Sequence, residues 1–220
     1  TELGVNKNLE YKSSRFKGMQ EDTDSIYLNE EEIEKLYCLP LFENYRLEKV
    51  RDLFIVGCYT GLRFSDFIQL NSSNIRNGKI TMRMQKTGDS VTIPVHVKVK
   101  EILIKYDGEL PQTISNQKMN EYLKELGALA GFTDKIETSR TKGGMRLKSV
   151  FKKYEMISTH TARRSFATNL FKAGFPSIAI MKITGHKTET AFMRYIKITN
   201  EQSAELLEKF WQTKQLSKAS

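Results

Sequence analysis

A mainly helical chain with one small antiparallel sheet, the α+β class, is what this sequence predicts, and three observations carry it. Apolar residues recur at helical spacing through most of the chain. The dipeptide Asn77-Gly78 and a polar tip at residues 86–89 bound two strand-like runs. Everything from Thr159 onward reads as helix. At 220 residues the chain can bury a real core without disulfides or a structural metal, and it shows no internal repeat.

Residues 1–25 are polar, carry both signs of charge and suggest a linker leading into a domain of residues 26–199. Asn29, followed three places later by Glu32, makes a capping box that opens a helix through Leu39. Residues 44–59 place Leu47, Val50, Phe54, Ile55 and Cys58 close to helical spacing and stop at Thr60-Gly61, which predicts a core helix. A short helix follows at residues 64–70, then strands at 79–85 and 90–95 around the tip, then helices at 97–106 and 116–130. Gly143-Gly144, flanked by Thr, Arg and Lys, marks either a second hairpin or an irregular basic loop. In the tail, residues 200–220, Leu206, Leu207, Phe210, Trp211 and Leu216 share one helical face that needs a groove, in cis or on a neighbour.

Lys and Arg number 35 against 26 Asp and Glu, a net charge of +9 that points to polyanionic partners. Residues 135–164 alone hold nine Lys/Arg against Glu137 and Glu155. Arg140, Lys142, Arg146, Lys148, Lys152, Lys153 and Arg164 form a patch suited to a phosphate backbone, with a merely solvated basic loop as the alternative. Cys38 and Cys58 lack metal-ligand spacing and are expected to be buried, reduced thiols of a cytosolic protein. No run approaches 18 apolar residues and no charged-then-apolar leader opens the chain, which disfavours membrane spanning and secretion. The chain begins at Thr1, as a fragment of something longer would.

Four segments offer groups suited to a phosphate diester. Arg63 directly follows Gly61-Leu62, and Asp66 at i+3 is placed to hold its guanidinium in one rotamer; an interhelix ion pair explains the same pattern. Lys86 at the hairpin tip can donate a proton to a leaving oxygen or simply solubilise the turn. His160 and Arg163 share a face at a helix start, where Thr159 or Thr161 can cap and free N–H groups favour an anion. His186 and Tyr195 lie nine residues apart, about 900° along an unbroken helix, so a joint role requires a break, which Gly185 and the potential N-cap Thr188 supply. A tyrosine among Lys and Arg can act as a nucleophile toward phosphorus, because cations favour the phenolate. No carboxylate trio has the spacing of a two-metal site, and no metal or cofactor is expected.

Arg63, Lys86, His160, Arg163, His186 and Tyr195, in that order and in those contexts, resemble the catalytic signature of the tyrosine recombinase (phage integrase) family. The run His-Thr-Ala-Arg-Arg-Ser-Phe-Ala-Thr-Asn-Leu, then Thr-Gly-His-Lys-Thr and Arg-Tyr, is most similar to integrases of bacterial phages and conjugative elements. The resemblance implies that family's catalytic-domain fold, with Arg63, Arg163 and His160 on the scissile phosphate and His186 stabilising the transition state. It further implies that Lys86 protonates the departing 5′ oxygen and that Tyr195 attacks to form a 3′-phosphotyrosyl link. Asp66 stands where a supporting acid, commonly Glu, is usual. The implied partners are double-stranded DNA, further copies of the chain as a tetramer on two sites, and accessory DNA-bending proteins, in a bacterial cytoplasm. Three positions depart from the pattern: Thr184 where Leu commonly precedes Gly-His, Arg164 where His often follows the arginine, and Asp66. Members usually carry a core-binding domain before this one, for which residues 1–25 are too short. A type IB topoisomerase and a non-catalytic DNA-binding module are the alternatives. The histidine opening His160-x-x-Arg163, where topoisomerases generally have lysine, favours the recombinase.

Overall fold

In the computed structural model, which describes residues 25–112, 114–142 and 145–216, a buried helix organises the core. Helix α2 (Tyr45–Thr60) buries Leu47, Val50, Leu53, Phe54, Ile55 and Val56, more than one stripe can supply, because neighbours cover it on several sides. Around it pack α1 (Glu30–Tyr37), the short α3 (Phe64–Phe67), α4 (Val97–Lys105), α5 (Asn116–Leu129) and α6 (Thr159–Lys172). Asp52, buried on α2, receives Arg51 Nε at 2.8 Å, Lys105 Nζ at 2.7 Å and the Tyr106 hydroxyl at 2.9 Å. Such partners are what make an interior carboxylate tolerable.

The capping box at α1 forms in both directions: Asn29 Oδ1 accepts from Glu32 N, and Glu32 Oε2 from Asn29 N, each at 2.9 Å. Asn77 and Gly78, both at positive φ, turn β1 (Ile75–Arg76) into β2 (Lys79–Arg83), and β3 (Ser90–Pro94) completes an antiparallel sheet in the order β1-β2-β3. Ile80 pairs with Ile93 and Met82 with Val91, so one face of the sheet closes over the core.

The segment around Gly143-Gly144 resolves as a hairpin. Strands β4 (Lys135–Lys142) and β5 (Met145–Lys152) pair over their full length, from Lys135 with Lys152 to Lys142 with Met145. Gly143 and Gly144 themselves lie outside the described residues, as do residues 1–24.

Beyond α6 the chain breaks into α7 (Ser177–Thr184), α8 (Glu189–Met193) and α9 (Asn200–Leu216). Phe166, Ala167, Ile180, Phe192 and Ile196 form a second, smaller apolar cluster there, with Tyr195 packed against it. Among the described residues no helix is long and apolar enough to cross a membrane. Cys58 is buried as expected, but Cys38 is exposed. It is the C-cap of α1, two residues past Leu36, and so points away from the face that buries Ile33 and Leu36.

Candidate active site

Helix α2 ends on Gly61 in the left-handed conformation at φ 64°, and a Cβ there would lie 2.3 Å from the ring of Phe166. Only glycine fits, and the turn it makes delivers Arg63. A Cβ on Gly57 would sit 3.0 Å from that of Ala162, so α2 and α6 cross in close contact. The crossing brings Arg163 Nη1 to the carbonyl of Gly61 at 2.7 Å, with Arg163 only 3% exposed. The N-cap of α6 is Ser158, and Thr161, one of the two threonines expected to cap, is its partner in a capping box. Thr161 Oγ1 accepts from Ser158 N at 3.0 Å, while Thr159 binds α5 through Asn116 and Asn120 at 2.8 Å each. His160 lies exposed on this first turn.

Asp66 does not hold Arg63. Arg63 is the N-cap of α3 with extended backbone, so the shared helical face that i+3 spacing promises is absent. Asp66 is buried, and its Oδ1 accepts from Gln85 N at 2.9 Å, fixing the base of the hairpin tip; Oδ2 has no partner. Gly88 N closes the tip on Met84 O at 2.8 Å, which leaves Lys86 exposed at its end. Arg63 Nη1 rests 3.8 Å from Met84 Sδ.

The break between His186 and Tyr195 is present. Gly185 ends α7 at φ 62°, and Thr188 Oγ1 caps α8 by accepting from Ala191 N at 3.3 Å. His186 and Tyr195 then meet with ring centroids 4.9 Å apart. The guanidinium carbon of Arg163 lies 6.0 Å from the Tyr195 ring and that of Arg164 closer still, at 5.1 Å. Arg164, expected from the sequence to belong to the backbone-binding patch, is placed by the turn of α6 against the tyrosine, its Nε buried without a hydrogen-bond partner. Only the adjacency of the two arginines in sequence hinted at this.

Burial pushes the Tyr195 phenol up, opposed by the charges of Arg163, Arg164 and Arg63. Burial, then Arg163 and Arg63, pull His186 down to about 4. Loss of hydration, followed by Arg164, Arg163, Arg63 and Lys86, lowers His160. Both imidazoles are therefore neutral at pH 7. Burial takes Arg163 down to about 10, where it still carries its charge at neutral pH. Among the described residues no carboxylate forms an ion pair with Arg63, Lys86, Arg163 or Arg164. Cations gathered with no carboxylate in direct ion pairing, beside a tyrosine, can receive an anion. No group of three His, Cys, Asp or Glu suited to a metal occurs among the described residues.

Of the basic patch, Lys148 and Lys152 are exposed on the β4–β5 ribbon, whose backbone also carries Arg140, Lys142 and Arg146. Lys153 is different: its ammonium pairs with Glu32, joining the end of the ribbon to α1.

The profile of the phage integrase family matches residues 27–202, a span holding all six residues from Arg63 to Tyr195. Tyrosine recombinase XerA of Pyrococcus furiosus is 24% identical, over 89% of this chain and 69% of that protein. The crystal structure of XerH bound to palindromic difH substrate, a post-cleavage complex, superposes with a TM-score of 0.61 at 17% identity, over 89% of this chain and 55% of that one. A lambda integrase tetramer bound to a Holliday junction gives a TM-score of 0.58 at 17% identity, over 83% and 51%. The chain thus spans about two thirds of XerA and about half of each of the two solved chains. Together with the ordered signature and the fold that assembles it, a profile match running from before α1 into α9 shows that this chain belongs to the phage integrase family.

Proposed function

We propose that the chain is the catalytic part of a site-specific DNA recombinase that cuts and rejoins strands through a covalent 3′-phosphotyrosyl intermediate. The observation that carries this reading is the convergence of Arg63, Arg163, His186 and Tyr195, drawn from separate segments. Arg63, Arg163 and His160 hold the scissile phosphate. Tyr195 Oη bonds to phosphorus, the bond to the 5′ oxygen breaks, and Lys86 supplies that oxygen's proton. His186 stabilises the transition state, and Asp66 steadies the tip that carries Lys86. The phosphotyrosyl ester keeps the bond energy, so a second 5′-hydroxyl reverses the step without ATP.

Arg140, Lys142, Arg146, Lys148 and Lys152 follow the duplex backbone along the ribbon. Four copies on two sites form the working assembly, in line with the DNA-bound XerH and the lambda integrase tetramer. Helix α9 supports this, since Leu207, Phe210 and Trp211 are 47%, 60% and 57% exposed, an apolar face suited to a neighbouring copy.

Incubation with labelled, nicked DNA and a denaturing gel tests the chemistry. Wild type leaves protein on the 3′ side of the break without added metal. Tyr195→Phe binds DNA and forms no adduct; adduct at the wild-type level in that variant removes the reading.

A further inference from the structure

Thr184, the last residue of α7, is polar yet fully buried. Its Oγ1 lies 2.7 Å from the carbonyl of Ile180, with that of Met181 at 3.4 Å. Carbonyls only accept, so the single hydroxyl proton is directed there. The same oxygen lies 2.8 Å from Nδ1 of His186 and meets it with a lone pair, which obliges Nδ1 to carry the hydrogen. A neutral imidazole has one N–H, so Nε2 is left bare. Leucine, which commonly fills this place in the family, has no atom that makes such a choice.

We propose that Thr184 is a positioning residue that fixes His186 as the Nδ1–H tautomer, so that its Nε2 lone pair serves as the acceptor for the Tyr195 proton. The proposal rests on the reading of Tyr195 as nucleophile. Burial, then the charges of Arg163 and Arg63, keep His186 neutral, and its ring faces those of Tyr195 and Phe192. A diester phosphate seated among those arginines offsets their charge and makes the imidazole more basic when DNA is bound. In the cleavage step the phenol O–H bond breaks as Nε2 takes the proton, Oη bonds to phosphorus, and the P–O5′ bond breaks with Lys86 protonating the leaving oxygen. The imidazolium so formed is the cation that stabilises the transition state.

Nitrogen-15 spectra of the histidine-labelled chain, with His186 assigned through His186→Gln, read the tautomer directly. Wild type and Thr184→Ser show hydrogen on Nδ1, and Thr184→Val moves it partly or wholly to Nε2. Single-turnover cleavage falls about five- to tenfold in Thr184→Val, the scale of one hydrogen bond, with DNA affinity unchanged, and returns in Thr184→Ser. Hydrogen on Nε2 in wild type, or wild-type cleavage by Thr184→Val, overturns the proposal. An adduct formed by Tyr195→Phe overturns the nucleophile reading instead, whatever the tautomer.

Discussion

Arg63 follows the turn that ends α2 and Arg163 lies near the start of α6, two helices in close contact over the large core and joined by the bond from Arg163 to Gly61 O. His186 and Tyr195 stand on the end of α7 and just after the five-residue α8, over a smaller cluster, five buried residues among those described. The first pair rests on the larger core and is expected to open only with it, the second on the smaller cluster and at lower cost. On the proposed function, the arginines meant for phosphate would then be pre-formed, as electrostatic stabilisation demands, and the tyrosine meant to attack would sit on the less supported half.

Gly61→Ala attacks the rigid half and carries the largest effect of three that bear on this contrast. The positive φ and the clash with Phe166 cost on the order of 3 kcal/mol, and displacement of Arg63 and Arg163 together lowers cleavage by about 10²-fold or more. Denaturant melts and single-turnover cleavage read both. Near-normal cleavage in a folded variant would show that the grip does not depend on this turn. Phe192→Ala attacks the other half. Removing a fully buried ring costs about 3 kcal/mol or more, and hydrogen exchange should show that loss in α8 while α2 keeps its protection. Equal loss in both helices would mean that the two clusters open as one.

The smallest effect is pH dependence. His186 is held down to about 4 in the folded chain against the ordinary 6.5, so the unfolded chain binds a proton that the folded one refuses. Stability is complete above pH 6.5 and falls as pH drops from there toward 4. Thermal melts of wild type should lose a few degrees more across that window than those of His186→Gln. Parallel curves would place the imidazole in contact with water.

Features set by neighbours in the chain were legible before any coordinates: the Asn29–Glu32 box, the Asn77-Gly78 turn, the stop at Gly61, and the break at Gly185 and Thr188. Each depends on backbone preference and a side chain within three residues. What failed depended on orientation. The expected pairing of Arg63 with Asp66 assumed one helix, whereas Arg63 caps it. The approach of Arg164 to Tyr195 was equally illegible, because spacing from His160 selects Arg163 without saying where the next side chain turns. The hairpin at β4–β5 stayed undecided because its register depends on a partner strand more than on its glycines.

The near-contact of Gly57 with Ala162, and of Gly61 with Phe166, limits how such a chain can diversify. None of these four residues has a reactive group, yet a methyl added at either glycine presses α2 away from α6, which carries Arg163, and disturbs the turn that delivers Arg63. A saturation library scored by recombination would therefore report Gly57 and Gly61 as intolerant as Arg63, and would miscount them as chemistry.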